Sequence, residues 1–286
     1  MTVGLGFGEG DEGVAVSVRS AAPAWSYSGL IWNFALRDIK SRFKGTLLGW
    51  AWSIIVPVAT VIIYSVVFSA IFRAQPPPLA DGRPGNYAVW LLTGLVVWTG
   101  FSNTLNTAVG TLLGTGSLLQ KIYFPSYAPV VGSVISSMMQ TGIEAVILLV
   151  ILVAIGNVGI AWLSLVIWIP VFVIFVTSVT YILATYNVYF RDLAYLITVA
   201  LQLFFFLTPI IYPITLVPVS SHGIPVRALI EANPLAQFVE SFRSILYGVS
   251  VPSVTSWAIL LAWTAAAMGL AVLTYFRRGL DIGEQI

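Results

Sequence analysis

The sequence predicts an all-α integral membrane protein with six transmembrane helices, and three observations carry that prediction. Of 286 residues, 58% are hydrophobic and only 8% are charged, against about 25% charged in an ordinary soluble domain. Six apolar stretches each reach the roughly 20 residues needed to cross a bilayer core. Basic residues gather in alternate connections between these stretches, which is how a polytopic chain marks its cytoplasmic side. A mean hydropathy of +0.95 excludes a soluble enzyme and a disordered chain. The net charge of +2 is too small and too dispersed for a nucleic-acid binder. There is no cysteine, which removes disulfides, iron–sulfur clusters, thiolate metal sites and cysteine nucleophiles. The single histidine, His222, is expected to be a solvated loop residue.

Residues 1–27 are rich in Gly, Ala and Val and carry Glu9, Asp11 and Glu12. They are expected to form a disordered tail. No basic segment precedes an apolar core and a cleavage site, so they are not read as a secretory signal. Over residues 30–47, Trp32, Leu36, Ile39, Phe43 and Leu47 recur at helical spacing, with Arg37, Lys40 and Lys44 on another face. Asp38 lies four residues before Arg42, the favourable order for a helical ion pair. This pattern predicts an amphipathic helix lying in the cytoplasmic interface. The expected spans are residues 47–72, 87–109, 130–155, 160–185, 194–212 and 254–276. The short turn from Gly156 to Gly159 makes the third and fourth an antiparallel hairpin. A cytoplasmic N-terminus puts Arg19, Arg37, Lys40, Arg42, Lys44, Lys121, Arg191, Arg277 and Arg278 inside, against Arg73, Arg83, Arg227 and Arg243 outside. Both termini are therefore expected in the cytoplasm.

Between the fifth and sixth spans, Pro213, Pro218, Pro225, Pro234 and Pro252 interrupt the chain. Asn233 suits an N-cap and Pro234 the first helical position. Leu235, Phe238, Phe242 and Ile245 follow at helical spacing with Glu240 and Arg243 beside them. A helix apolar on one side, too short and too charged to span, predicts external re-entrant or interfacial helices.

No lysine follows a glycine, so a phosphate-binding GxxxxGK[ST] loop cannot form. No catalytic residue and no metal site is expected in this chain. Glu144 is the one ionisable residue well inside an expected span, a functional position by default. A single intramembrane carboxylate and no internal repeat argue against an ion-coupled carrier. The scattered acids Asp81, Asp192 and Asp281 argue against a membrane transferase. Aromatic faces suit the apolar faces of sugar rings, so Tyr64, Trp98, Phe101, Phe205 and Tyr212 join Glu144 as candidate lining of a path. Pro209 and Pro213 are expected to distort the end of the fifth span and free carbonyls there. Gly110 and Gly114 form a pair that permits close helix approach.

Several segments resemble the membrane subunit of ABC-2-type exporters of cell-surface polysaccharides, the group of O-antigen, capsule and teichoic-acid exporters. They are Leu36-Arg37-Asp38-Ile39-Lys40-Ser41-Arg42-Phe43-Lys44, Leu47-Leu48-Gly49-Trp50-Ala51-Trp52 and Lys121-Ile122-Tyr123-Phe124-Pro125. Asn187-Val188-Tyr189-Phe190-Arg191-Asp192, Thr208-Pro209-Ile210-Ile211-Tyr212-Pro213 and Asn233-Pro234-Leu235 follow in the same order. The resemblance makes residues 28–286 one ABC-2-type transmembrane domain. It implies a homodimer in the cytoplasmic membrane around one translocation path, working with a pair of separate ABC ATPase subunits that bind ATP and magnesium. It implies that Lys121, Ile122, Tyr123, Phe124 and Pro125 couple to the ATPase, with Arg191 and Asp192 nearby. The cargo it implies is a lipid-linked glycan, with Arg37, Lys40, Arg42 and Lys44 attracting the lipid diphosphate at the membrane surface. An ABC-2 exporter of a drug or small lipid is the alternative.

Overall fold

The computed structural model describes residues 27–279 and 282–285, apart from 43, 46, 72, 74–75, 120–123, 222 and 224. The N-terminal tail and His222 therefore lie outside the described residues. Helix α1 (Ser28–Arg42) is followed by α2 (Trp52–Ile71), α3 (Tyr87–Ala108) and two one-turn helices, α4 (Thr111–Gly114) and α5 (Gly116–Leu119). Then come α6 (Tyr127–Ala154), α7 (Ile160–Tyr189) and α8 (Leu193–Leu207). Short α9 (Val226–Glu231), α10 (Pro234–Leu246), α11 (Val254–Gly279) and α12 (Ile282–Gln285) complete the order. No strand occurs among the described residues.

Among the described residues five helices, α2, α3, α6, α7 and α11, are long and apolar enough to cross a membrane. The sixth expected span is α8, whose 15 residues rise about 22 Å at 1.5 Å each, short of a hydrocarbon core of roughly 30 Å. It stops at Leu207 because Pro209 has no amide hydrogen to continue the ladder, and Thr208 turns its hydroxyl back to the Phe204 carbonyl at 2.8 Å.

α3 is the axis of the bundle: 78% of its most apolar window is buried, whereas none of the corresponding window of α2 is. α6, α7, α8 and α10 pack around α3, and α11 lies against α7. With α8 counted between α7 and α11, successive helices of the bundle alternate in direction. The α1 end therefore collects the start of α6, the turn after α7 and the last turn of α11, where Ser126 and Tyr181 share a hydrogen bond of 3.0 Å. The opposite end collects α9, α10 and the α6–α7 turn. There Gly156 adopts φ +76°, and buried Asn157 donates to the Leu246 and Tyr247 carbonyls at 2.9 and 3.0 Å.

α10 is the hub of that end. The predicted cap is present: Asn233 Oδ1 accepts from the Leu235 amide at 2.9 Å, and its Nδ2 donates to Thr208 Oγ1 at 3.0 Å. The predicted stripe Leu235, Phe238, Phe242 and Ile245 is buried. Phe238 sits among Trp168, Phe172 and Phe175 of α7, with ring centroids 4.9–5.9 Å apart. Trp168 Nε1 donates to Ser241 Oγ at 2.9 Å.

Arg243 departs from its expected place beside the polar face. It is 4% exposed, and its guanidinium lies 3.8 Å from the centroid of the Trp90 ring. It donates to the Ile210 carbonyl at 2.5 Å, to the Pro209 carbonyl and to Glu240 Oε1 at 3.0 Å. Two features of the sequence open this slot. The proline break after α8 frees carbonyls that need donors, and Gly94 has no side chain where a Cβ would meet Arg243 Nη2 at 2.5 Å.

Replacing this arginine by methionine keeps the length of the stem and strands two buried carbonyls. Arg243→Met is expected to cost about 3 kcal/mol of stability and to lower the thermal unfolding midpoint of the purified protein. Glu240→Ala, at a half-exposed partner, is expected to move the midpoint far less.

Candidate functional site

At the α1 end, α1 docks on α6. Its buried residues are Phe34 and Ala35, not the predicted stripe through Trp32, Leu36 and Ile39, and Trp32 is half exposed. The helix ends at Arg42 rather than continuing to Leu47. The face is chosen by α6, because Gly132 has no side chain and a Cβ there would meet Phe34 Cβ at 2.6 Å. Docking draws Arg42 inward. Its guanidinium donates to Ser137 Oγ at 3.1 Å and to Gln140 Oε1. Burial pulls the pKa of Arg42 below its ordinary value, and the Asp38 carboxylate opposes the shift; an arginine starting so high stays charged. Arg37 remains exposed, 3.4 Å from Asp38. Lys40 and Lys44 are exposed. A cavity of about 610 Å³ lies between α1 and the end of α3, lined by Arg37, Asp38, Arg42, Thr107, Gly110 and Gly114 among others. A Cβ at Gly110 or Gly114 would meet nothing within 4 Å, so within one chain neither glycine marks a close helix approach; both line this cavity.

Deeper in, α3 presents Thr99, Asn103, Asn106 and Thr107, a polar stripe at spacings of four, three and one, facing Gln140 and Glu144 of α6. These side chains and one face of α2 enclose about 430 Å³. Glu144 is buried, and Thr99 Oγ1 donates to its Oε2 at 2.6 Å. Asn106 Oδ1 accepts from Thr198 of α8 at 3.2 Å. A third cavity, about 460 Å³, opens between α2, α3 and α8. On its wall Tyr64 stacks on Phe205 at 6.2 Å, and Trp98 meets the same ring edge-on at 5.5 Å. The first two cavities share Arg42 and Thr107. The second and third share Thr60, Leu95, Thr99, Asn103 and Asn106. Together they form one cleft from the basic α1 end to an aromatic wall.

The structure thus brings Arg37, Arg42, Glu144, Tyr64, Trp98 and Phe205 to one cleft. It does not bring Phe101 or Tyr212 there. Phe101 stacks on Phe175 at 6.2 Å in the core, because α7 occupies that side of α3. Tyr212 donates to the Phe206 carbonyl at 2.8 Å and packs beside Val217 and Ile230 at the opposite end. Lys121, Ile122 and Tyr123 lie outside the described residues. Phe124 is buried with its ring 5.6 Å from Phe34, and the Pro125 carbonyl caps the start of α6 through the Ala128 amide at 3.0 Å. Arg191 and Asp192 are exposed on the turn between α7 and α8. Buried Asn187 fixes that turn, donating to the Val109 carbonyl at 3.3 Å and accepting from the Ala194 amide at 3.1 Å. Sequence reasoning missed Thr99, Asn103, Asn106 and Gln140. Their signal was present as amides and hydroxyls at helical spacing inside apolar spans.

A multi-pass helical bundle whose spans enclose a polar cleft open at a basic end defines a membrane transport protein. The sequence matches the ABC-2 type transporter family over residues 29–247, and the chain belongs to that family. It is 27% identical to an "O-antigen export system permease protein RfbA" of Myxococcus xanthus, over 88% of this chain and 95% of the relative. A protein of the same name from Klebsiella pneumoniae is 30% identical over 73% of this chain and 76% of the relative. A "Polysialic acid transport protein KpsM" of Escherichia coli is 22% identical over 85% and 91%.

The dependence of the cleft mouth on Gly132 is testable against a cysteine-free background. Gly132→Val is expected to undock α1, so that a cysteine introduced as Ala35→Cys, shielded in the parent, is labelled by a maleimide at least several-fold faster.

Proposed function

We propose that this chain is the membrane subunit of an ATP-driven exporter that moves a polyprenyl-diphosphate-linked polysaccharide across the cytoplasmic membrane. The observation that carries the proposal is the cleft, basic at one end, polar along α3 and aromatic at Tyr64, Trp98 and Phe205. An anionic head group with a long hydroxylated chain needs that sequence of environments. The names of the relatives, O-antigen and polysialic acid permeases, support the same class of cargo.

In this reading α1 lies in the cytoplasmic interface and both termini are cytoplasmic. α8 and its proline-broken end complete a sixth span, and α9 and α10 are external re-entrant helices. Two copies face each other across α2, whose most apolar window is unburied within one chain. A pair of ABC ATPase subunits, which bind ATP and magnesium, engages the Lys121–Pro125 segment and the Arg191–Asp192 turn. Arg37, Lys40, Arg42 and Lys44 attract the lipid diphosphate to the cleft mouth.

Depletion of the protein in its own cells is expected to cause accumulation of a polyprenyl-diphosphate glycan, read by mass spectrometry, with loss of the surface polymer. Unchanged lipid-linked glycans and an intact surface would overturn the assignment in favour of a drug or small-lipid exporter. Lys121→Ala combined with Tyr123→Ala is expected to abolish export while membrane insertion stays normal; normal export by that variant would remove the coupling role.

A further inference from the structure

We infer that the cavity between α2, α3 and α6 is a sugar-phosphate pocket: Arg42 holds a phosphate, and Thr99, Asn103, Gln140 and Glu144 hold hydroxyls of the first sugar attached to it. This rests on the lipid-linked glycan cargo proposed above and assigns its head group to particular side chains.

The first argument is position. Arg42 is tied to Ser137 and Gln140 of α6, and Glu144 follows on the same face of that helix. The Arg42 guanidinium meets α6 at Ser137 and Gln140, seven and four residues before Glu144, or about 6–10 Å of helical rise. The cation and the carboxyl are therefore fixed at opposite ends of one pocket. A diphosphate and its first sugar bridge such a separation. The volume, about 430 Å³, falls within the roughly 300–1,000 Å³ of small-molecule sites.

The second argument is hydrogen-bonding chemistry. A carboxyl placed inside a span is expensive unless it has partners. Thr99 supplies one hydrogen bond to Glu144. Asn103 and Gln140 bring amides that both donate and accept to the same wall. An acyl chain or an apolar drug in this pocket would shield the Asn103 amide and the remaining bonding positions of Glu144 and Gln140 from water without offering a hydrogen bond, which costs free energy. Sugar hydroxyls donate to the carboxyl and exchange bonds with the amides.

The third argument is polarity. A carboxylate repels a phosphate, so the anion sits at the Arg42 end and the sugar lies deeper. This orientation fits the openings at the two ends. Beyond Arg42 is the larger cavity at the α1 end, where a lipid carrier joins the bilayer. Beyond Asn103 and Asn106 is the aromatic cleft, where the next sugars stack. A glycerophospholipid head group such as phosphatidylglycerol shares the chemistry of phosphate plus hydroxyls, and the test must separate the two sources.

Full-length protein in phosphatidylcholine nanodiscs would be titrated with a short-chain polyprenyl diphosphate bearing one N-acetylhexosamine, and with the same diphosphate lacking the sugar. The sugar-bearing probe is expected to bind about tenfold more tightly, the scale of one or two hydrogen bonds to a charged group. Glu144→Leu is expected to reduce that ratio to about one while leaving the sugar-free probe unaffected, and Glu144→Gln is expected to keep most of it. Arg42→Gln is expected to weaken both probes about tenfold and preserve the ratio. Should Glu144→Leu fail to fold, by its thermal unfolding midpoint, Asn103→Leu carries the same comparison. An unchanged ratio in both variants overturns the pocket and leaves the export reading standing. Displacement of the sugar-bearing probe by phosphatidylglycerol at equal affinity assigns the pocket to bulk lipid and overturns the inference. Failure of either diphosphate to bind the parent protein overturns the cargo reading and the pocket together.

Discussion

Much of this fold depends on how the broken end of α8 satisfies its backbone. In hydrocarbon an unpaired carbonyl has no water to turn to, and each one costs several kcal/mol. Pro209 ends the helical ladder, and the carbonyls of Pro209 and Ile210 are left for a donor from elsewhere. Arg243 supplies two N–H groups to them and rests its cationic plane on Trp90. A guanidinium can do this because its donors form a rigid planar fork and it is more weakly hydrated than an ammonium. Meeting this requirement places α10 across α3, demands a glycine at position 94 and brings Phe238 into the aromatic layer of α7.

The rigid end so built contrasts with the opposite side of α3. One side of that helix is covered by α7 and α10, where Phe101 stacks on Phe175 and Trp168 packs against Phe238 and Phe242. Its other side carries Thr99, Asn103 and Asn106 and faces Glu144 of α6, Thr198 of α8 and α2, whose most apolar window is unburied. The cleft lies along the side that the core does not use. A conduit for a hydroxylated chain needs polar groups that stay accessible, and the bundle provides them by packing one face of its central helix and leaving the other open. The same arrangement leaves α2 with an apolar surface that a second copy or lipid must cover.

Basic residues at the mouth have unequal roles for a geometric reason. Arg37 and Lys40 stay at the surface, where salt and water weaken their attraction. Arg42 is the last residue of α1, and the docking of Phe34 and Ala35 over Gly132 carries it onto Ser137 and Gln140. Composition marks all four cations alike; burial singles out one.

Features that depend on local composition and length can be read directly along the chain. Five spans, the hairpin at Gly156, the Asn233–Pro234 cap and the buried stripe of α10 follow from apolar runs and from backbone rules that act over a few residues. Glu144, which the structure places on the cleft, was conspicuous in the sequence as a lone carboxyl in an apolar span. The buried face of α1 is set by packing at long range, because that choice belongs to a missing side chain on α6, at Gly132. Such packing also moved Arg243 from the polar face into the interior, since the acceptors that make burial tolerable lie on another helix end. And it separated Trp98 from Phe101: both are aromatic, three residues apart on one helix, yet one lines the cleft and the other the core. Which neighbour each side of α3 receives is set by long-range packing, and periodicity along the chain carries no record of it.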